Sequence, residues 1–207
     1  MAWQTLKYKL TSSADLIMHN GRMANPTDKF AKLMKQISSK RAKTDADFEE
    51  MARIEFLASL YMAADGPILP SYVLDATLIN GAKKSKEGMS AKSGAFCLEH
   101  ARLEYDGPRT ADELWADERF RHVALVRVGT AKVVRTRPVF NEWSAVVSVN
   151  IETGIVNPAR VDDWWAAAGT QVGLCDWRPQ HGRFYCGTYP VRVIVFWRGA
   201  VGSGQVA

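Results

Sequence analysis

The sequence lacks most of the signatures that identify enzymes and membrane proteins. Its four histidines are scattered, and it contains no Gly-x-Ser-x-Gly, Walker or His-Glu-x-x-His motif. No apolar run approaches the ~20 residues that a membrane-spanning helix requires. These absences argue against a hydrolase, a P-loop ATPase or a zinc protease. We therefore expect a protein without enzyme activity, cofactor or membrane segment.

Cysteine is also scarce. The chain has three, Cys97, Cys175 and Cys186, and their spacing pairs none of them. An odd number of cysteines without a signal peptide is typical of a reducing compartment, so we expect a cytoplasmic protein. His181 lies between Cys175 and Cys186, but no Cys-x-x-Cys or His-x-x-x-His pair supports a zinc site, and we predict no metal.

The sequence does carry an excess of positive charge. The formal net charge is +5 at pH 7, and it is unevenly distributed. Residues 119–137 hold six Lys and Arg and no acid, and residues 177–207 hold four arginines and no acid. This pattern favours an acidic partner such as nucleic acid, although a basic face is often only solvated.

Hydrophobic periodicity predicts an α+β fold. A first strand over residues 7–18, an alternating, half-buried strand over residues 143–151 and a helix over residues 158–172 are the clearest elements. A last strand is predicted to start near Phe184. Reduced to its core, the order is β-α-β-β-α-β, which predicts a ferredoxin-like or RRM-like antiparallel sheet with helices on one face.

Two further helices interrupt this core after the first strand. Apolar side chains recur at helical spacing in two runs separated by a basic break, so residues 25–62 are predicted to form a helical insertion. Residues 1–198 as a whole are predicted to form a single RRM-like domain. The Gly/Ser-rich residues 199–207 are expected to be a flexible tail.

A loop in the last third of the chain concentrates candidate binding groups. It carries Trp177, Arg178, His181 and Arg183 between glycines and a proline. Proteins that bind single strands need cations to neutralise phosphates and planar groups on which bases stack, and this loop offers both. The alternative interpretation is a structural tryptophan wedged under the loop.

A predicted hairpin over residues 123–139 supplies further cations. Arg127 lies on its first arm, and Arg135 and Arg137 share one face of its second arm, because strand side chains alternate. These two arginines are candidates for phosphate contacts. Cross-strand ion pairs with nearby glutamates are the alternative.

Three segments occur in an order that is found in a known superfamily. Residues 17–21 (Ile-Met-His-Asn-Gly) are a strand that ends in a small polar turn. Residues 66–71 (Gly-Pro-Ile-Leu-Pro-Ser) lead into a helix that ends in Lys83 and Lys84, and residues 173–184 are a glycine-bearing loop. Together they resemble the RAMP superfamily, the RRM-like backbone subunits of CRISPR effector complexes. The compact chain suits a phage or prophage relative better than a full CRISPR subunit, which would place it in the host cytoplasm.

The resemblance implies a protein that binds single-stranded RNA or DNA along the sheet face and loops, whose subunits stack side by side along the strand. Some members cut RNA with an aspartate in the loop after the first strand. Asp28 is the nearest candidate here, and a solvated aspartate is the simpler interpretation. The residues predicted to bind nucleic acid are His19, Asn20, Ser71, Lys83, Lys84, Arg127, Arg135, Arg137, Trp177, Arg178, His181 and Arg183.

Two other classes of function stay open. A phage structural or assembly protein would use its basic surface to contact neighbouring subunits. A phage inhibitor of host defence would mimic an effector subunit. For side-by-side assembly, we predict that the acidic residues of 45–55 meet the basic residues of 119–127 of a neighbour, with Trp3, Leu114 or Trp115 supplying most of the holding energy.

Overall fold

The computed structural model describes residues 2–189, which form an α+β fold. The predicted tail and residues 190–198 of the predicted domain lie outside the described residues. The strands are β1 (Trp3–Ser12), β2 (Leu16–Ile17), β3 (Met62–Ala63), β4 (Gly66–Leu69), β5 (Ala95–Cys97), β6 (Ala101–Arg102), β7 (Arg121–Val128), β8 (Ala131–Phe140), β9 (Ser144–Glu152) and β10 (Phe184–Thr188). The α-helices are α1 (Lys29–Ser38), α2 (Asp45–Ser59), α3 (Ser71–Ala82), α4 (Gly88–Gly94), α5 (Ala111–Ala116) and α6 (Pro158–Ala167).

The main core lies on an antiparallel sheet with the strand order β10-β1-β9-β5. Residues alternate along β1, so that Tyr8 and Leu10 are buried whereas Lys7 and Lys9 are exposed. Tyr8 packs against Trp165 of α6, with ring centroids 6.2 Å apart. Helices α3 and α6 contact each other and the outer strands β5 and β10, and they cover the face that Tyr8 occupies. The opposite face is largely open among the described residues: Lys7 and Lys9 are exposed on it, although Ser148 and Glu152 are buried there.

Helices α3 and α6 approach closely because one position in α3 has no side chain. A Cβ atom at Gly81 would lie 2.2 Å from the carbonyl oxygen of Trp164. The indole Nε1 of Trp164 donates a hydrogen bond to Glu87 (2.8 Å), and Glu87 also pairs with Arg160. Hydrogen bonds from Arg160, from the indole and from Ser85 lower the pKa of Glu87 from 4.5 to about 2. These contacts hold α3 and the segment that follows it against α6.

A second sheet has the order β2-β8-β7, in which β7 and β8 form the hairpin that the sequence indicates. On the β2 side, the short β2 pairs only with Val139 and Phe140, and a carboxylate of helix α2 covers the edge of β8 that β2 does not reach. Glu55 is 5% exposed, accepts a hydrogen bond from the backbone N–H of Thr136 (3.0 Å), and pairs with Arg135 (3.0 Å) and Arg137 (2.7 Å). Because an unpaired strand edge invites association with another chain, this carboxylate both satisfies and blocks the edge.

The predicted helix starts have identifiable caps. Thr44 and Asp47 form a capping box at the start of α2, with the Thr44 N–H donating to the Asp47 carboxylate at 3.0 Å. Asn157 caps α6 by accepting from the N–H of Ala159 (3.1 Å), and Pro158 occupies the first helical position. After α6, a π-helical turn over Ala168–Val172 brings the helical segment to the predicted residue 172.

The predicted first strand over residues 7–18 is divided into two. The N–H groups of Ser13 and Ala14 donate to the carbonyl oxygen of Arg183, which turns the chain out of the main sheet. β1 therefore ends at Ser12, and Leu16–Ile17 pairs with β8 in the second sheet. Hydrophobicity alone does not mark this break, because both halves contribute buried apolar residues to the core.

Candidate nucleic-acid interface

Three segments that the sequence singles out separately meet along the outer side of α3. The turn after β2 contributes His19, α3 contributes its outer face, and the basic loop (residues 173–183) contributes Arg178. Between them lie adjoining hollows of about 710 and 250 Å3, which share Asp176 and Arg178. We call this depression the α3 groove. It is lined by His19, Tyr61, Tyr72, Val73, Ala76, Asn80, Lys83, Lys84, Gln171, Val172, Cys175, Asp176, Trp177, Arg178 and Pro179.

Backbone hydrogen bonds hold the basic loop against the turn between β1 and β2. The N–H of Asp176 donates to the carbonyl of Ile17 (2.9 Å), and the N–H of Gly182 donates to that of Asp15 (2.7 Å). Gly182 has φ +71°, and a Cβ atom there would lie 2.0 Å from the carbonyl oxygen of Leu174. Glycine at this position therefore lets the loop close on itself and present Arg178 to the groove.

The groove carries three uncompensated cations. Lys83 and Lys84 follow the last residue of α3, and Arg178 faces them from the basic loop. All three side chains are exposed, and none lies within 4 Å of a carboxylate among the described residues. Lys83 makes only a hydrogen bond to the side-chain oxygen of Asn80 (3.0 Å). Three such cations along one depression match the charge that a run of phosphate groups carries.

One acidic side chain, Asp176, lies in the groove, and side chains of the protein itself compensate part of its charge. The Asp176 carboxylate lies 3.4 Å from Nδ1 of His19 and 3.6 Å from Nε of Arg137. Partial burial opposes ionisation of this carboxyl, but hydrogen bonds from His19 and from the N–H of Trp177, with the charge of Arg137, hold its pKa below the usual range. Asp176 therefore stays ionised, and Arg137, which also pairs with Glu55, offsets part of its repulsion of an anion in the groove.

An exposed aromatic ring stands at the other end of the groove. Tyr72, on the first turn of α3, is 60% exposed and packs edge to face with Tyr61, at a centroid distance of 6.3 Å. Tyr61 is fixed because its hydroxyl donates to the carbonyl oxygen of His19 (3.0 Å). The free face of Tyr72 is available to stack on a nucleobase.

Trp177 does not offer such a face. It is half-buried, with its ring 4.8 Å from that of His122 and 5.9 Å from that of His181. Burial lowers the pKa of His122, which favours a neutral imidazole against the indole. This arrangement matches the wedged, structural tryptophan, and it places His181 in the same cluster. Arg183 is exposed, but its Nε donates to the carbonyl oxygen of Pro179 (2.6 Å) and braces the basic loop.

Two of the predicted binding residues, Asn20 and Ser71, take part in hydrogen bonds of backbone N–H groups at the starts of helical segments. The side-chain oxygen of Asn20 caps the short 3-10 turn that follows it, accepting from the N–H of Arg22 (3.2 Å). Ser71 opens α3, and its N–H donates to Nδ1 of His100 (3.0 Å). Both lie beside groove residues without lining the groove.

The hairpin arginines require a correction. Arg137 is only 7% exposed and Arg135 is half-buried, and both pair with Glu55 at the covered edge of β8. Their partner is Glu55 of α2, not Glu142 or Glu152 as in the cross-strand alternative, and the pairing withdraws Arg137 from solvent and Arg135 in part. Arg127 is exposed on β7 but donates to the carbonyl oxygen of Gly129 (3.1 Å) and does not line the groove.

Asp28, the candidate for RNA cleavage, is a helix cap. Its carboxylate accepts from the N–H of Phe30 (2.8 Å) and pairs with Arg22 (2.9 Å). The hydrogen bond from Phe30 is the main cause that lowers the pKa of Asp28. These contacts explain this aspartate without a catalytic role.

The two surfaces predicted for assembly are not separate. Glu49 of α2 and Arg121 of β7 line the same hollow of one molecule. Arg121 also pairs with Glu118 (2.8 Å), and Arg119 pairs with Asp117 (2.7 Å). Glu55, one of the acidic residues, is buried. Leu114, which was predicted to supply apolar contact energy, is buried as well. The prediction of a contact between these charges is therefore not supported.

Sequence alone did not point to Tyr61 and Tyr72, because an aromatic at helical spacing is usually read as core. Sequence did predict binding along a sheet face, but it named no residue on the open face of the main sheet. That face presents Lys7 and Lys9 with exposed rings nearby, and the alternation along β1 was the signal that could have identified the two lysines. The exposed rings are Trp3, Phe96 and Tyr185.

Comparison with other proteins gives no independent assignment. No protein-family model matches the chain, and no curated protein matches it. Within residues 2–189, no group of three or more His, Cys, Asp or Glu side chains is placed to hold a metal ion. Over the same residues, none of the helices has the length and apolar character needed to cross a membrane.

Proposed function

We propose that this protein binds single-stranded nucleic acid in the α3 groove, with little sequence preference. The proposal rests on one observation: side chains from separate parts of the sequence meet in the groove. His19, Lys83, Lys84 and Arg178 come from three distant segments that the sequence singled out separately, and they line one groove. A merely solvated set of cations has no reason to gather along one depression.

The chemistry of the groove suits a strand. Lys83, Lys84 and Arg178 neutralise consecutive phosphates, and the exposed ring of Tyr72 supports a base by stacking. Neither contact reads the edge of a base, so binding is tolerant of sequence. A preference for RNA would need contacts to the 2′-hydroxyl, for which Asn80 supplies a polar side chain in the groove.

We also infer that the main sheet is ferredoxin-like, as in an RRM. Over residues 2–189 the sheet has four strands, which occur along the chain in the order β1, β5, β9 and β10. In the sheet they lie side by side as β10-β1-β9-β5, so the fourth strand is next to the first and the third lies between the first and the second. The connection from β1 to β5 includes α3, and the connection from β9 to β10 is α6. This order supports two interleaved β-α-β units. Relationship to the RAMP superfamily, and a phage origin, are part of the same proposal and rest on the three segments of the groove.

We further propose that subunits stand side by side on a bound strand. One groove covers only a few nucleotides, so continuous coverage requires neighbours. The β7–β8 hairpin offers an apolar contact surface, because Val123, Leu125 and Val134 are all exposed. A contact between this hairpin and a different surface of the next subunit would be open-ended and would form a filament.

The same hairpin favours a second candidate function. A phage structural or assembly protein would use Val123, Leu125 and Val134 to bind a neighbour and would need no nucleic acid. An inhibitor that mimics an effector subunit would use them on a host protein. Salt-dependent binding to unrelated oligonucleotides separates the first proposal from both of these.

The test is fluorescence anisotropy with labelled oligo-dT and oligo-U of about 5 nucleotides, which fit the groove, over a series of salt concentrations. If three phosphates are neutralised, log affinity should fall with log salt with a slope of about 2, from about 0.7 per contact. The variant Lys83→Gln/Lys84→Gln/Arg178→Gln should lose this dependence. Its matched control is Lys7→Gln/Lys9→Gln, which removes exposed lysines from the open sheet face. Binding that is absent at low salt, or that is lost only in the control variant, would refute the groove as the site.

A further inference from the structure

Helix α1 and the loop after it carry a dense positive charge that the groove does not use. Residues 29–44 contain six Lys and Arg and no acid. Lys29, Lys32 and Lys35 recur every three residues in α1, and all three are exposed. None of them lies within 4 Å of a carboxylate in the part of the chain that the structure describes. The charge on this face is therefore uncompensated.

The stability of α1 explains these lysines only in part: Lys35 in the last turn complements the helix dipole, and the Lys29 ammonium lies 4.8 Å from the Phe30 ring. A cation in the first turn, such as Lys29, opposes the helix dipole instead of complementing it. No acidic residue lies within α1 to form a stabilising pair one turn away. The helix is held by its other side, where Phe30, Met34 and Ile37 are half-buried and α1 packs against α2. The lysines fall on the opposite, outward side.

The N-terminal end of α1 is tied to the α3 groove. His19 lines the groove, and the next residue, Asn20, donates its N–H to the carbonyl oxygen of Ser59 in α2 (3.0 Å). Two residues further on, Arg22 pairs with Asp28, the cap of α1 (2.9 Å). From this junction the ten residues of α1 extend for about 15 Å.

We propose that Lys29, Lys32 and Lys35 bind the phosphate backbone of a strand that leaves the α3 groove near His19. The proposal rests on the proposed function and extends the binding site along α1. A lysine ammonium is a point charge on a flexible stem, so three of them can follow a strand without a fixed register. Such contacts add length and affinity without adding sequence preference.

An anionic membrane is the other polyanion that a basic amphipathic helix can bind. A helix of that kind inserts its apolar face between lipids. Here the apolar side of α1 is already half-buried, on a helix that packs against α2. Of the large apolar residues of α1, Leu33 alone is exposed (44%). Insertion would require α1 to leave α2, so the geometry favours a nucleic acid.

The test compares an oligonucleotide of about 5 nucleotides, which fits the groove, with one of about 20, which also reaches α1. Lys29→Gln/Lys32→Gln/Lys35→Gln should weaken binding of the long strand by up to about 100-fold at 0.1 M salt, since three contacts at about 0.7 each give about two powers of ten. The short strand should bind unchanged. Lys29→Arg/Lys32→Arg/Lys35→Arg keeps the charge and should bind both strands normally. Glutamine and arginine are good helix formers, so both variants should fold.

The outcomes separate this inference from the proposed function. Unchanged long-strand affinity in the glutamine variant overturns the role of α1, whereas the groove variant Lys83→Gln/Lys84→Gln/Arg178→Gln tests the groove alone. If the α1 glutamine variant binds the long strand more weakly while the groove variant binds it normally, the lysines of α1 are a binding surface and the groove is refuted as a site. Loss in the arginine variant equal to that in the glutamine variant, or α1-dependent binding to phosphatidylserine vesicles in place of the long strand, overturns the inference.

Discussion

Replacing Glu55 by glutamine should destabilise the protein and leave nucleic-acid binding intact. The carboxylate is buried and pairs with Arg137 at 2.7 Å and with Arg135 at 3.0 Å, and it accepts the N–H of Thr136. Glutamine keeps the shape and can still accept from Thr136. It removes the negative charge, however, and leaves the guanidinium of Arg137 buried without its nearest partner.

The expected loss of stability depends on the interactions that Arg137 keeps after the substitution. Removing one partner of a buried ion pair costs about 3–5 kcal/mol. Asp176 stays 3.6 Å from Nε of Arg137, and Arg135 is only half-buried, so both arginines keep some compensation. We therefore expect the lower end, about 3 kcal/mol. For a chain of this size, at about 2–4 °C per kcal/mol, the midpoint of thermal unfolding should fall by roughly 6–12 °C.

Urea unfolding of the two proteins measures this difference, and the same helix provides the control. Glu50 lies in α2, its side chain is 47% exposed, and it sits 3.7 Å from Arg53. Glu50→Gln should cost less than about 1 kcal/mol, because exposed ion pairs contribute little. If Glu55→Gln were as stable as Glu50→Gln, the reasoning that makes Arg135 and Arg137 structural would be refuted. Equal stability together with tighter oligonucleotide binding, as expected if the released guanidinium groups reached a strand, would return these arginines to the interface.

Three further predictions concern the groove and its support. Tyr72→Ala should weaken oligonucleotide binding by about 1–3 kcal/mol in titrations, because a base loses its stacking partner, and unchanged affinity would remove Tyr72 from the site. The lowered pKa of Glu87 means that its stabilising effect is complete above pH 4.5 and is lost as the pH falls towards about 2. The stability gap between the wild type and Glu87→Gln in urea should therefore narrow over this range, and a constant gap would contradict it. Gly81→Ala should cost about 1–3 kcal/mol because its Cβ would lie 2.2 Å from the Trp164 carbonyl, whereas Gly21→Ala, with nothing within 4 Å, should be nearly neutral.

Sequence predicted the elements that depend on local chemistry. The caps Thr44 and Asn157 act within a few residues, so their helices could be placed from side-chain type alone. The alternating strand from Ser144 to Glu152 was visible for the same reason, since burial on one face imposes a period of two.

What sequence could not predict depends on long-range partners. Arg137 meets a glutamate 82 residues away, and nothing near it in the chain indicates that pairing. Trp177 lies in a loop rich in binding chemistry, yet His122 from another strand covers its ring. Tyr72 lies on the first turn of a helix whose apolar residues Leu74 and Leu78 are buried, and only the packing of α3 shows that Tyr72 faces the groove instead. Local pattern identifies which residue types occur together, whereas tertiary packing decides which of them reach solvent.

Photocrosslinking tests the central claim most directly. Single-stranded RNA and DNA that contain a photoreactive base would be crosslinked to the protein at moderate salt, and the attached peptides identified by mass spectrometry. Binding in the α3 groove predicts crosslinks within residues 71–84 and 173–183, with Tyr72 prominent, and their loss in the Lys83→Gln/Lys84→Gln/Arg178→Gln variant. Crosslinks confined to the open sheet face, at Trp3 or Phe96, or no crosslinks to any strand, would contradict the account.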